Sequence, residues 1–443
     1  MNIIFIAIDT LAAGHMSCYG YKRKTSPTLD RYAKKSVLFL NAFAPDIPTQ
    51  PAYTTMFTGL RGLRHTIVSH DGRNALDPSV PVLAEVLQDN GYLTAAVDNL
   101  KDMKPWFDRG YAEYYNPGGL QFATAEKINS LAIPWLKQNC RNKFYLFLHY
   151  WDPHTPYIPH PEYNYYKGKK DDPANNSLKT FRTQMVYPFF ERWFKDLGNV
   201  SDAEYITALY DGEINYVDSK MQEIFDLLEE LGIAEDTLVV ITSDHGESMT
   251  EHNIYWDHHG LYETTTHIPL IIRLGKKFKP AKIREMVQHI DIMPTILGLA
   301  GIKIKARMDG MSLAPLLEGK GGKGYKEVYL NECLYQAKVA MRTNDWKLIL
   351  AVDKGVHPDT PDRELYSLKA DPEEKTNLAK KEKKKADEME NTLLKWRASQ
   401  LGGNPDPVKV EAGRGLPAIA WVDRAMKSIN MTREEWLSRQ KYV

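Results

Sequence analysis

The apolar positions of this chain fall into two rhythms. "NIIFIAI" (residues 2–8) is an unbroken apolar run, and similar runs recur as "LTAAVDN" shortly after Gly91, "KFYLFLHYW" from Lys143, "TLVVITSDHG" from Thr237 and "HIPLIIRL" from His267. Unbroken rather than alternating runs suit strands covered on both faces, as in a parallel sheet. Between them lie patterns of helical period, including "SVPVLAEVLQDNG" and the long "DAEYITALYDGEINYVDSKMQEIFDLLEELG". Strands alternating with helices predict a doubly wound α/β sheet. Asp9, Asp98 with Asn99, and Asp244 with His245 close three of these strands at their C-terminal ends. Open α/β sheets carry their sites at that edge.

The rhythm changes near residue 320, after a stretch rich in glycine and lysine. Short strand patterns follow ("EVYLNE", "KVAMRT", "WKLILAV", "ELYSL"), then a charged helical pattern from about residue 373 to 398. The expected organisation is an α/β domain over residues 1–320, a small α+β domain with an antiparallel sheet over 321–403, and an arm over 404–443. The arm carries "LPAIAWV" and "EEWL". Such an apolar, aromatic stripe calls for a partner surface, either the chain's own large domain or a second subunit in a homo-oligomer.

Composition narrows the class. With 443 residues the chain is too long for one ordinary core. Charged residues make up 26% and the net charge is zero, so no global field draws the protein to nucleic acid or to an anionic membrane. The "KKEKKK" run at 380–385 reads as a solvated helix face. Three cysteines (Cys18, Cys140 and Cys333) are widely spaced and odd in number, which is neither a disulfide framework nor a metal knuckle. The apolar N-terminus lacks a basic leader and meets Asp9 too early for a signal peptide. No stretch approaches the length of a membrane span. The expected address is the cytoplasm.

Two carboxylates and an imidazole delivered to one sheet edge can bind a divalent cation. Each alone has a plain alternative, since an Asp after a strand is often a helix cap. Thr49 opens "TQPAYTTMFTG", a helical run stopped by Gly59. A threonine there reads as an N-cap. The same position places a hydroxyl in the positive potential of a helix start, where oxyanions bind and an alkoxide costs less. His154, between prolines in a loop, suits substrate contact or protonation of a leaving group. His289 and Asp291 read as capping groups. His149 ends a buried strand, with its role open. Asp211 and Asp218 lie on a long helical pattern without a nearby His.

At this point the chain resembles the sulfatase family of the alkaline phosphatase superfamily. "IDTLAAGHMSCYGY", "GYLTAAVDNLKD", "HYWDPHTPY", "SDHGE", "HHGLYETTTHIPLIIR", "QHIDIMPTILGLAGI", "DGMSLAPLL" and "ELYSLKADPEEKTNLA" stand in the order of that family's motifs. The resemblance implies metal ligation by Asp9, Asp244 and His245, with Thr10 in the place of a further aspartate. It also implies one divalent ion rather than two, since the three-His pattern of two-metal relatives is not evident: Mn or Zn first, with Ca or Mg as alternatives. The family's nucleophile motif is C/S-x-P-x-R; here Pro51 fits its proline and Thr58-Gly59 sets the register, which puts Thr49 at the nucleophile position and beside the metal. Cys18 falls at a packing position.

The departures shape the expected reaction. Threonine cannot become the formylglycine of most sulfatases, because its Cβ carries a methyl group. Tyr53 replaces the motif arginine, Asn99 and Lys101 replace a Lys and a His, and His258 replaces a lysine. Threonine nucleophiles and the Asp-His pair resemble the phosphonate monoester hydrolase and phosphodiesterase branch. The resemblance therefore implies hydrolysis of a phosphodiester or phosphonate monoester, by attack of Thr49 to form a phospho-threonine intermediate from which water releases the product. Tyr53, Asn99 and His258 would bind substrate, and His154 or Lys101 would protonate the leaving oxygen. Two alternatives remain: a sulfate-ester hydrolase with an unmodified threonine, and an inactive member that binds a charged ligand. The expected partner is a small phosphate, phosphonate or sulfate ester.

Overall fold

The structure, a computed structural model, describes residues 1–119, 123–172, 174–175, 177–178, 188–428, 430–432 and 435. Its strands are β1 (Asn2–Ile8), β2 (Val37–Phe43), β3 (Asp46–Ile47), β4 (Leu93–Val97), β5 (Glu113–Tyr115), β6 (Phe144–Tyr150), β7 (Thr237–Thr242), β8 (His267–Arg273) and β9 (Ala281–Gln288), then β10 (Val328–Cys333), β11 (Ala337–Arg342), β12 (Trp346–Asp353) and β13 (Arg363–Ser367). Eight form one sheet in the order β5-β4-β6-β1-β7-β8-β2-β9. The central strand β1 is parallel to both β6 and β7, while β8 runs antiparallel to its two neighbours.

The unbroken apolar run of β1 has a direct cause. Ile3, Phe5 and Ala7 enter the core on one face, with Tyr53, Phe57, Leu83 and Ile296 from the helices Thr49–Thr58, Leu83–Asp89 and Ile292–Leu299. Ile4, Ile6 and Ile8 enter the other, with Ile128, Leu136, Ile214 and Met221 from Ala125–Asn139 and Ala203–Glu230. Helices thus cover both faces of the sheet, and its central strands have no polar side. The chain has a mixed α/β fold with this large sheet, a second, smaller sheet and C-terminal helices. Among the described residues no helix is long and apolar enough to cross a membrane.

The second sheet runs β13-β12-β11-β10-β3. Its last four strands in sequence are antiparallel as expected. Its edge, however, comes from early in the chain: the two-residue β3 pairs parallel with β10, Asp46 opposite Asn331 and Ile47 opposite Glu332. The charged helix starts at Lys383, not near residue 373. Between them Asn377 accepts from the N–H groups of Leu365 and Ala379, Asp371 accepts from Thr376, and Glu374 takes a positive φ of 56°. These local side-chain bonds compete with helix formation.

The arm packs on its own chain. Helix Pro417–Ser428 places Ala418 and Trp421 against Leu334, Tyr335 and Val356. Apart from Glu435, the "EEWL" stretch lies outside the described residues.

Candidate active site

β1 and β7 are neighbours in register, Ala7 opposite Thr242, so the residues just past their ends emerge side by side. Asp9, Asp244 and His245 are fully buried there, each offering a ligand atom within 4.8 Å of the others. Backbone bonds aim them. The N–H groups of Thr10 and His245 donate to Asp244 Oδ1 at 3.1 and 2.9 Å, which turns Oδ2 to the pocket, beside His245 Nε2. His149 Nε2 lies 3.1 Å from Asp9 Oδ2, so Oδ1 is the free oxygen of Asp9. His245 Nδ1 is 3.0 Å from the Gly246 carbonyl; donating there aims Nε2 into the pocket, 3.1 Å from Asp244 Oδ2.

The donor set fits a divalent cation. Asp9 Oδ1, Thr10 Oγ1 and Asp244 Oδ2 are buried without hydrogen-bond partners, and such oxygens are costly unless an ion takes them. Charge points the same way. Burial, and next the charge of Asp244, push the Asp9 carboxyl well above its usual range. Burial opposes a charged ring on His245, yet Asp244 beside it lifts the imidazole to about 9. Burial likewise opposes the Asp244 anion, but the His245 charge holds that carboxyl well below its usual range. The pocket favours positive charge. Thr10 adopts φ 54° to turn the chain here, and its carbonyl is held by Tyr210 Oη at 2.7 Å.

Thr49 faces this set, with Oγ1 3.3 Å from His245 Nε2. The cap expected of it is absent: the helix already includes Thr49, Pro48 is the residue before it, and no side chain caps the end. The hydroxyl is thus left for the pocket rather than for the helix. Gly59 ends this helix at φ 65°, a left-handed stop that glycine adopts at little cost.

Around the set stands a group of rings. His258 stacks on His245 with centroids 4.5 Å apart, and His154 lies 5.3 Å from His258. Burial pushes His154 down to about 3 and His258 to about 4, so both are neutral near pH 7. His154 Nδ1 is 2.6 Å from the Thr155 carbonyl, which places its proton there. Fully buried Glu247 lies 3.6 Å from His258 Nδ1.

The remaining expected residues lie further back. Tyr53 is fully buried, its ring against Phe57, Phe147 and His149. Asn99 has both amide ends engaged, donating to Gly118 O and accepting from Trp151 Nε1, each at 2.7 Å. Lys101 Nζ sits over the Tyr114 ring, 4.7 Å from its centroid. His289 bonds Ser243 O, and Asp291 accepts from Gln288 N in the expected capping role. Asp211 does have a histidine beside it, contrary to the sequence reading. His15 Nδ1 is 2.8 Å away, with Tyr21 and Arg23 on the other oxygen. Asp218 instead accepts from the N–H groups of Thr28 and Leu29.

Sequence reasoning passed over His70 and left His149 open. The signal for His149 was its place at the end of β6, beside Asp9. His70 had no local signal; Gln50 holds the backbone N–H and carboxylate of its neighbour Asp71 at 3.0 and 3.2 Å.

With this geometry in view, the comparisons with known proteins can be placed. Residues 1–302 match the sulfatase family, and residues 250–399 match the N-sulphoglucosamine sulphohydrolase C-terminal family. The chain belongs to the sulfatase family. It is 24% identical to N-acetylglucosamine-6-O-sulfatase of Bacteroides thetaiotaomicron, over 89% of this chain and 87% of that one. It is 25% identical to the multifunctional alkaline phosphatase superfamily protein PehA of Trinickia caryophylli, over 80% and 85%. Among solved structures, the phosphonate monoester hydrolase of Agrobacterium radiobacter superposes with a TM-score of 0.69 at 20% identity, covering 90% and 96%.

Proposed function

We propose that this sulfatase-family ester hydrolase cleaves a phosphodiester or phosphonate monoester through Thr49. The observation that carries the reading is the 3.3 Å approach of Thr49 Oγ1 to His245 Nε2 inside the buried Asp9–Asp244–His245 set. A nucleophile has to stand that close to the charge that activates it. Asp9, Asp244 and His245, with Thr10 beside them, would hold a divalent ion, which would supply Lewis-acid charge beside the Thr49 hydroxyl.

Thr49 Oγ1 passes its proton to a solvent water and attacks phosphorus in line. The new O–P bond forms as the bond to the leaving oxygen breaks, and that oxygen keeps the electron pair. His154 and His258 are neutral at rest; an anionic ester seated beside them raises their basicity, so each takes up a proton from solvent. His154 hands its proton to the leaving oxygen, while His258 donates to the equatorial oxygens. Water then attacks the phospho-threonine, losing a proton to His154 as the P–Oγ1 bond breaks, and Oγ1 regains a proton from solvent. Asn99 and Tyr53 act from behind, the first by tying Trp151 to the Gly118 loop, the second by supporting His149 under Asp9. Lys101 adds positive charge at that rim.

The test is a panel of p-nitrophenyl esters: phosphate monoester, bis-ester, phenylphosphonate and sulfate. The expected order places the bis-ester and the phosphonate first, with their turnover lost in Thr49→Ala. A panel led by the sulfate ester would replace the reading with a sulfatase acting through an unmodified threonine, in keeping with the names of several relatives. No turnover of any ester by the metal-loaded chain would favour a ligand-binding role.

A further inference from the structure

Both family matches end by residue 399, so helix Pro417–Ser428 belongs to neither. It is nevertheless close to the reaction site. The Trp421 ring meets His70 edge-on, with centroids 5.5 Å apart and planes at 84°. Asp71, the next residue, is clamped by Gln50, which directly follows Thr49. Burial pushes the His70 imidazole down to about 4, against the pull of the neighbouring Asp71 carboxylate. The hydroxyl that reacts and the indole of the arm are therefore joined by one short chain of contacts.

The arm is seated firmly. Trp421 and Ala418 rest on Leu334, Tyr335 and Val356. Gly355, at φ 53°, passes so close beneath that a Cβ there would meet the Tyr335 carbonyl at 1.8 Å and a Leu416 methyl at 2.6 Å. Tyr335 in turn touches His259, which stacks on His357 at 4.8 Å. His357 is held neutral by burial, at about 3. Where Trp421 meets His70, the arm therefore offers an indole and an uncharged imidazole.

We propose that the arm completes the substrate cleft, with Trp421 as a specificity-determining residue that receives a ring on the leaving side of the ester. The idea rests on the pocket beside Thr49 being the reaction site, not on which acid is cleaved. Partly exposed Trp421 and His70 present the apolar edge and face on which an aryl or sugar ring packs. A small alkyl leaving group would not reach them.

Titration calorimetry on metal-loaded chain tests this with matched pairs: 4-nitrophenyl and ethyl phenylphosphonate, and 4-nitrophenyl and ethyl sulfate. Glucosamine 6-sulfate against ethyl sulfate separates a sugar ring from an aryl ring. The Thr49→Ala background keeps the esters intact, and thermal melting confirms that each variant is folded. The natural arm should prefer the ring-bearing member of at least one pair about tenfold. Trp421→Ala should erase that preference without weakening the ethyl ester, and Trp421→Phe should keep most of it. Equal losses for ring and ethyl esters, an unchanged preference in Trp421→Ala, or no binding of any ester would overturn the proposal. Failure of the phosphorus-ester reading would look different: the sulfate pair would bind and the phosphonate pair would not.

Discussion

Asp46 and Asn331, 285 positions apart in the chain, meet through a buried hydrogen bond in which Asn331 Nδ2 donates to Asp46 Oδ1 at 2.8 Å. The other oxygen of Asp46 accepts from Gly62 N at 2.9 Å and Thr55 Oγ1 at 3.0 Å. Arg397, from the helix Lys383–Leu401, donates to Asn331 Oδ1 while clasping Asp406. One carboxylate thus joins the small sheet to the helix that begins at Thr49. Asp46→Ala would strand three buried donors. It should lower stability by about 3 kcal/mol in denaturant melts, and an unchanged midpoint would refute this account of the joint.

Thr49 makes no capping bond, so its removal separates chemistry from stability. Thr49→Ala should lower the melting temperature only slightly, since loss of one buried methyl and hydroxyl is expected to cost about 1 kcal/mol. Ester turnover should fall by several orders of magnitude. Thr49→Ser should keep substantial activity, and Thr49→Asn none. An active Asn variant would show that Thr49 never attacks the ester.

The three unpartnered oxygens of the site predict its ion. Elemental analysis should find about one divalent ion per chain, Mn or Zn before Mg, since the set mixes oxygen and nitrogen. Asp244→Ala should abolish binding. Chelation should lower the melting temperature, because the ion binds the folded chain alone. Full activity in rigorously metal-free protein would contradict the assignment.

His65 gives a pH test away from the site. Ile67 N donates to its Nδ1 at 3.1 Å, while Nε2 lies 3.0 Å from Thr55 Oγ1. Burial pushes the ring down to about 3 from an unfolded value near 6.5. The unfolded chain therefore takes up this proton first as pH falls. The stability contributed by neutral His65 is complete above about pH 6.5 and is lost between there and 3, at up to about 1.4 kcal/mol per unit. Other buried histidines add to the same slope, so the reading is a difference: His65→Gln should flatten stability against pH between 6 and 4 by about one proton. Parallel curves for the two proteins would exclude His65 as a contributor.

What could be read in advance follows a physical division. Asp9, Asp244 and His245 were legible because strand ends in a parallel sheet emerge together, and the periodicity showed where the strands end. The two apolar faces of β1 were legible for the same reason. His149 reaches Asp9 only through the register of β6 on β1, and His70 only through the Gln50 clamp on Asp71. Neither distance is written in local spacing. The helix placed near residue 373 failed because Asn377 and Asp371 bond locally, and the cap assigned to Thr49 failed because the helix starts a residue earlier than its composition suggests.

The edge strand β3 also imposes an order in time. A ribosome adds about 5–20 residues per second, so Asn331 emerges some 15 to 60 seconds after Asp46. Over that interval the strands that carry Asp9 and Asp244 can already pair, since β7 is complete at residue 242. The joint between Asp46 and Asn331, at the entry to the Thr49–Thr58 helix, must wait, because β10 has not been made. A nascent chain can thus bring Asp9 and Asp244 together well before that joint closes, and a chain cut before β10 would keep the pairing of β1 with β7 without it.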